Sequence, residues 1–188
     1  MSQTGRHPRL LDAADAALLV IDVQEKFRDV QQGFDDMLTG CIKLVKTFQY
    51  LDLPIWVTEQ YPKGLGKTVP ELKEILQSTK ALEKTVFSSY GCDGLPELIS
   101  QSKLRTILIC GIETHVCVNQ TVHDLLAADY RVHVAVDAIE SRHAINREIA
   151  LKKMEQSGAI LTTTEMAAFE LLVDAKNEKF KEVQALYK

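Results

Sequence analysis

Short apolar runs of strand length alternate with longer helical patterns along this chain of 188 residues. The runs are rich in Val, Ile and Leu, which is typical of strands buried on both faces of a parallel sheet. The alternation predicts a three-layer α/β fold, in which helices cover both faces of a six-stranded parallel sheet. The predicted strands are Ala17–Ile21, Pro54–Thr58, Ala81–Phe87, Thr106–Cys110, Arg131–Val136 and Ala159–Leu161.

Apolar residues at helical spacing predict most of the connecting elements. Thr163 or Thr164 is expected to cap the helix that starts there. The last segment, Asn177–Lys188, carries one apolar stripe, which either packs on the core or lies across a neighbouring subunit. The other predicted helices are Phe34–Leu51, Pro70–Gln77, His143–Ser157 and Thr164–Ala175.

Composition and charge narrow the class of protein. With 46% hydrophobic residues the chain can bury one sizeable core, so we expect a single domain over residues 1–188. The net charge of −4 comes from interleaved acidic and basic residues, so neither a nucleic acid nor a membrane is an expected partner. Because no run has the roughly 20 apolar residues of a membrane span or the features of a signal peptide, we expect a cytoplasmic protein.

The thiols are expected to be reduced, because the four cysteines lack the spacing of a disulfide framework or a zinc site. One of them, Cys117, follows a predicted strand that is expected to break at Gly111, with Thr114 as a candidate helix cap. Free N–H groups and the dipole at a helix start favour a thiolate, so Cys117 is a candidate nucleophile with a lowered pKa. The alternative is a small core residue, which is the commoner role of a cysteine in an apolar helix.

Two further residues with chemistry lie at predicted strand ends, where ligands gather in open α/β sheets. Asp22 directly follows the first strand, and Lys84 lies in the third. A carboxylate, an amine and a thiol in one crevice could perform nucleophilic acyl chemistry. Taken singly, Asp22 could be a turn residue and Lys84 a solvated side chain.

Four pieces of the chain resemble the isochorismatase-like cysteine hydrolases, and most closely their small isochorismatase domain-containing members of unassigned substrate. The resemblance implies the strand order 3-2-1-4-5-6 and a catalytic triad of Asp22, Lys84 and Cys117. It also implies a cis peptide bond between Ile112 and Glu113, which aims the N–H groups of Glu113 and Cys117 at a substrate oxyanion. The pieces are Leu19–Phe27, Lys84–Phe87, Cys110–Val118 and Val136–Arg142.

The function implied by the resemblance is hydrolysis of a small amide through a thioester on Cys117, with no cofactor and in a dimer or tetramer. Isochorismatases proper cleave a vinyl ether without needing the cysteine; that reaction is an alternative, but the presence of Cys117 favours amide hydrolysis. A second alternative is a binding or scaffold protein with an unused site. A third is a redox-sensing thiol protein, for which Cys110 is a poor resolving partner.

Three of the five candidate pocket residues directly follow the second predicted strand, although a loop of this composition is also a plain surface connection. No metal is expected, because the run Thr58–Lys67 lacks the histidines with which nicotinamidases bind one. Arg142 is expected in a helix-end ion pair, although it could face a substrate carboxylate or a subunit. The candidate substrate-binding residues are Phe27, Glu59, Gln60, Tyr61 and Thr114.

A Cys–His nucleophile is the rival arrangement. His115 and His123 lie about 200° and 240° around a helix from Cys117, so neither shares its face. His123 and His133 are therefore expected to be core or surface residues.

Overall fold

The computed structural model describes residues 5–77 and 79–188. Its six strands form one parallel sheet of order β3-β2-β1-β4-β5-β6, which confirms both the predicted architecture and the strand order. The strands are β1 (Ala16–Ile21), β2 (Ile55–Gln60), β3 (Leu82–Lys84), β4 (Thr106–Ile112), β5 (Arg131–Glu140) and β6 (Ile160–Thr162).

Helices cover both faces of the sheet. The longest helix, with the third and seventh, packs on one face, and the fourth, fifth and sixth pack on the other. The helices are α1 (Phe34–Tyr50), α2 (Pro62–Leu65), α3 (Pro70–Ile75), α4 (Leu95–Ser102), α5 (Asn119–Ala127), α6 (Ala144–Gln156), α7 (Thr164–Leu172) and α8 (Phe180–Ala185). Among these described elements, none is long and apolar enough to cross a membrane.

The central strand β1 shows why its sequence is continuously apolar. Its residues are all buried, and successive side chains enter the two cores on opposite faces of the sheet. Leu18 and Val20 contribute to the core under α1, whereas Leu19 and Ile21 contribute to the core under α4 and α5. A strand that is buried on both faces has no polar side.

The predicted strand break at Gly111 is wrong, because β4 continues to Ile112. Gly111 has φ +114°, and a Cβ at this position would overlap the carbonyl oxygen of Ile21. The glycine thus permits a close approach of β4 to β1 just before Asp22, rather than ending the strand.

The third strand is shorter than predicted, since it ends at Lys84 instead of Phe87. The carbonyl groups of Val86 and Phe87 turn inward and accept hydrogen bonds from the Lys84 ammonium. Their side chains are about half exposed. The chain leaves the sheet here because these carbonyls bind the buried Lys84 side chain and not a neighbouring strand.

The C-terminal stripe packs on its own chain. Val183 is buried in α8 against Ala168 and Leu172 of α7. The Tyr187 hydroxyl donates to the Thr164 carbonyl at 3.1 Å. At the start of α7 the cap is Thr163, whose hydroxyl accepts from the Met166 N–H.

Candidate active site

Asp22 stands at the carboxyl end of β1, completely buried and with φ 53°. Its N–H donates to the Thr58 carbonyl at 3.1 Å, and its Oδ1 accepts from the Thr58 hydroxyl at 2.8 Å. Two bonds to one residue of β2 hold the carboxylate against the edge of the sheet.

Lys84 reaches Asp22 from β3 across the whole width of β2. Its Nζ lies 2.7 Å from Asp22 Oδ2 and 2.7 Å from Gln60 Oε1, and its side chain is fully buried. Strands two places apart in a sheet are separated by roughly 10 Å, so only a long side chain can span this gap. With the carbonyls of Val86 and Phe87, the ammonium meets four acceptors.

Cys117 lies in a single wide turn, Thr114–Val118, between β4 and α5. The Glu113 carbonyl accepts from the N–H groups of Val116 and Val118 at 3.0 and 3.2 Å, on either side of Cys117. No bond from the Cys117 N–H to this oxygen is found in the described part of the chain. In this wide turn the N–H groups of Val116 and Val118 therefore share one acceptor, and the Cys117 N–H does not bond to it.

The environment of the Cys117 thiol opposes ionisation. Burial, followed by the Asp22 carboxylate, raises the pKa of Cys117 to about 12, although Lys84 acts in the opposite direction. The expected lowered pKa is therefore wrong, because burial and a neighbouring anion outweigh the helix start. Thr114 does not cap the turn either; its buried hydroxyl has no partner among the described residues.

Burial also raises the pKa of Asp22, and Lys84, Thr58 and Cys117 act against this shift. A carboxyl group whose pKa moves upward becomes a stronger base near neutral pH. The site thus pairs a protonated thiol with a carboxylate that is well suited to take its proton. Cys117 itself is buried, with 6% of its residue surface exposed.

The Ile112–Glu113 peptide bond is cis, as the resemblance implies. The Glu113 carboxylate accepts from the side chain and the backbone N–H of Arg142 at 3.0 and 3.2 Å, and from Gln31 at 3.4 Å. Arg142 thus forms an ion pair with a residue at the carboxyl end of β4, in line with the preferred ion-pair interpretation.

The candidate pocket residues of β2 divide between two faces. Gln60 accepts from Lys84, and its backbone N–H donates to Gln24 Oε1 at 2.8 Å, so it belongs to the site. Glu59 points the other way, where its carboxylate accepts from Thr68 at 2.7 and 2.8 Å. Glu59 therefore ties a loop to the sheet and is not brought together with the triad.

Tyr61 lies beside Lys84. A cavity of about 340 Å³ is lined by Tyr61, Lys84, Val86, Cys92 and neighbouring residues. Phe27 is half-buried against the core on the α1 face. Tyr61 therefore shares a cavity with Lys84, whereas Phe27 is not among the residues that line it.

The histidines have other partners. His115 contacts the Ser141 hydroxyl at 3.0 Å, and His123 contacts the Asn119 carbonyl and the Ser157 hydroxyl. His133 is buried, and burial lowers its pKa to about 4. Within residues 5–77 and 79–188, no cluster of three or more acidic, histidine or cysteine side chains could hold a metal ion.

Several residues that shape the site escaped the sequence analysis. Gln24 binds both the N–H and the carbonyl group of Gln60, and it follows Asp22 by two positions. The hydroxyl groups of Thr58 and Thr121 donate to Asp22 and to the Cys117 carbonyl, and Ser89 contacts both threonines. Only Gln24 carried a sequence signal, since it lies within the first matching piece.

A six-stranded parallel sheet of this order, with an acid, a lysine and a cysteine at its carboxyl edge, defines a class of hydrolases with a three-layer α/β fold. The model of the isochorismatase domain matches residues 16–166, and the chain belongs to this family. It is 43% identical to isochorismatase domain-containing protein 2 of Xenopus laevis, over 94% of this chain and 85% of that protein.

The fold is shared with solved structures, among them the following two. A Caenorhabditis elegans protein described as the MAR1 ribonuclease has 44% identity and a TM-score of 0.88, covering 94% of this chain and 91% of that one. The Escherichia coli YcaC product, described as an octameric hydrolase of unknown specificity, has 25% identity and a TM-score of 0.90. The match covers 98% of this chain and 91% of YcaC.

Proposed function

We propose that this protein is a metal-independent cysteine hydrolase that cleaves a small amide through a thioester on Cys117. The observation that carries the proposal is the buried ion pair of Asp22 and Lys84, 2.7 Å apart, beside a thiol whose pKa responds to both groups. A buried ion pair that shifts the pKa of a neighbouring thiol is typical of a functional site.

In the first half-reaction, Asp22 takes the proton of the Cys117 thiol while sulfur forms a bond to the substrate carbonyl carbon. The carbonyl electron pair moves to oxygen. The C–N bond then breaks, and Asp22 returns the proton to the departing amine. A thioester and free amine result.

In the second half-reaction, Asp22 takes a proton from a water molecule while the oxygen of that water attacks the thioester carbon. The C–S bond breaks, the sulfur recovers the proton, and the acid product leaves. Lys84 takes no part in the proton transfers, and its Nζ donates to Asp22, Gln60 and the Phe87 carbonyl. Its role is to favour the anionic forms of Asp22 and Cys117.

The oxyanion is proposed to bind the backbone N–H groups of Glu113 and Cys117. Supporting this, neither N–H has a backbone acceptor outside its own turn in the described chain, while Glu113 is held through its side chain. Two donors of this kind typically contribute a factor of about 10² to 10³ each to the rate.

Tyr61, Thr114 and Phe27 are proposed as substrate contacts. The Thr114 hydroxyl supports this role, because it is buried and unpaired among the described residues, and such groups usually find a partner in a ligand or water.

We also propose that the protein acts in the cytoplasm as a homo-oligomer. Two isoleucines exposed on one side of α6, Ile145 and Ile149, support self-association, and the YcaC relative is described as an octamer.

RNA cleavage is a second candidate, because the C. elegans relative is described as a ribonuclease. The net charge of −4 and the Asp–Lys–Cys arrangement favour an amide instead. Incubation with single-stranded RNA of mixed sequence tests this candidate directly, and Cys117-dependent cleavage would favour it.

The deciding experiment measures hydrolysis of a panel of small amides and searches for an acyl adduct on Cys117 by intact mass and peptide mapping. Turnover is expected to vanish in Cys117→Ala and to persist in Cys41→Ala, which removes a buried thiol from α1. A folded wild-type protein that turns over no amide and labels no faster than an ordinary thiol would support the binding-protein alternative.

A further inference from the structure

A chain of buried hydrogen bonds, made by three hydroxyl groups and the Ser89 backbone N–H, connects Asp22 with the backbone of Cys117. The Thr58 hydroxyl donates to Asp22 Oδ1 at 2.8 Å, and the Ser89 Oγ lies 3.2 Å from Thr58 Oγ1. The Ser89 N–H donates to the Thr121 Oγ1 at 2.7 Å. Thr121 in turn donates to the Cys117 carbonyl at 2.6 Å.

The direction of each bond follows from the supply of protons. A hydroxyl group has one proton, and Thr58 gives its proton to the carboxylate. The Ser89 hydroxyl must therefore be the donor toward Thr58. Thr121 likewise gives its proton to Cys117, so it accepts from the Ser89 N–H. Ser89 thus donates in both directions, one path ending at the base and the other at the nucleophile.

Ser89 lies on the same segment as the carbonyl groups that accept hydrogen bonds from Lys84. This segment leaves β3 after Lys84 and presents the carbonyls of Val86 and Phe87 to the ammonium, before Ser89 opens a short turn, Ser89–Gly91. Thr58, Ser89 and Thr121 are all completely buried. The segment therefore contacts Lys84 directly, and reaches Asp22 and Cys117 through Thr58 and Thr121.

We propose that Ser89 is a positioning residue that holds Asp22 and Cys117 in their reactive arrangement through Thr58 and Thr121. The inference rests on the proposed function. Without the Ser89 hydroxyl, the Thr58 oxygen loses its donor, and hydrogen bonds in a chain strengthen one another. The Thr58 bond to Asp22 then weakens, so the anion is less stabilised and Asp22 needs a higher pH to ionise.

Acrylamide is a suitable probe, because it is small, neutral and carries an amide. The Cys117 sulfur bonds to the β-carbon of acrylamide as the C=C π bond breaks, and the proton taken by Asp22 is delivered to the α-carbon. No other reactant is consumed. The second-order rate of this addition is measured against pH by intact mass, with peptide mapping of Cys117.

Groups other than Asp22 shape the pH profile. Lys84 faces Asp22 from β3, Cys117 faces it from the wide turn, and Cys92 is close enough for Asp22 to affect its pKa. The acid limb follows ionisation of Asp22, because the rate rises once the base is free. Direct ionisation of the thiol accelerates labelling only at alkaline pH.

The matched pair of variants is Ser89→Ala and Ser88→Ala. Ser88 is also buried, but its hydroxyl has no partner among the described residues. We expect Ser89→Ala to lower the addition rate at neutral pH about five- to tenfold, which is the effect of one lost hydrogen bond. Its acid limb should move to higher pH, whereas Ser88→Ala should follow the wild type within about twofold.

A second pair of variants tests the positioning role if Ser89→Ala does not fold. Thr121→Ser keeps the hydroxyl and should keep the rate, whereas Thr121→Val should lower it. The control for the latter is Thr47→Val, because Thr47 also donates to the carbonyl four residues earlier in its helix, at 2.8 Å.

The outcomes separate this inference from the proposed function. Equal rates and pH profiles for Ser89→Ala and Ser88→Ala, or for Thr121→Val and Thr121→Ser, would overturn the positioning role alone. A wild-type Cys117 that adds acrylamide no faster than an ordinary thiol would overturn the proposed function and the inference with it.

Discussion

A Cβ atom on Gly111 would overlap the carbonyl oxygen of Ile21, the residue just before Asp22. The strands β1 and β4 therefore approach each other closely at the edge where the candidate site is built. This contact links the packing of two central strands to the placement of the acid.

Gly111→Ala should lower the free energy of unfolding by about 3 kcal/mol, because the overlap adds to the cost of a positive φ. Urea denaturation measures the change. Gly158→Ala is the matched control, since Gly158 also has a positive φ but open space around it. It should cost only about 1 kcal/mol. Equal losses in the two variants would show that the overlap is relieved.

Asp22→Asn should lower amide turnover by at least about a hundredfold, because the amide cannot take the thiol proton. Turnover and acrylamide addition are both measured on protein whose folding is verified by circular dichroism. Asp35→Asn provides the control, since Asp35 pairs with Arg28 on the exposed surface. Retention of wild-type turnover in Asp22→Asn would remove Asp22 from the mechanism.

The Cys117 thiol should make folding sensitive to alkaline pH. Its folded-state pKa of about 12 exceeds the ordinary value of 9.0, so the unfolded chain releases this proton first. Stability is thus fully present below pH 9 and is lost as the pH rises toward 12. Denaturation of wild type and Cys117→Ala across this range should show a flatter profile for the variant. Parallel profiles would contradict the raised pKa.

His133 should produce the opposite dependence at acid pH. Burial lowers its pKa from 6.5 to about 4, so the unfolded chain binds the proton first as the pH falls. Stability is present above pH 6.5 and is lost between 6.5 and 4. His133→Leu should flatten this slope in urea denaturation, whereas His7→Ala, at an exposed position, should not. An unchanged slope in His133→Leu would argue against the lowered pKa.

The sheet could be predicted well because each strand carries its own local signal. The continuous apolar run of β1 is legible without knowledge of its neighbours, since burial on both faces requires it. The positions of the strand ends were predicted less accurately. The exit of β3 depends on the Lys84 ammonium, and the extension of β4 depends on the close approach of Ile21, neither of which is a local property.

The placement of Glu59 was within reach of the sequence. Side chains alternate along a strand, so Thr58 and Gln60 share one face of β2 and Glu59 must take the other. The structure follows this rule: Thr58 binds Asp22, Gln60 binds Lys84, and Glu59 binds Thr68.

The amino-acid sequence by itself determined the order of elements and supplied an acid, a lysine and a cysteine near strand ends. Only the tertiary structure decided that burial and the Asp22 carboxylate raise the pKa of the Cys117 thiol, and that Ser89 contacts both Thr58 and Thr121. Strand formation depends mainly on neighbouring residues, whereas a pKa depends on burial and on charges from Asp22 and Lys84, which lie far from Cys117 along the chain.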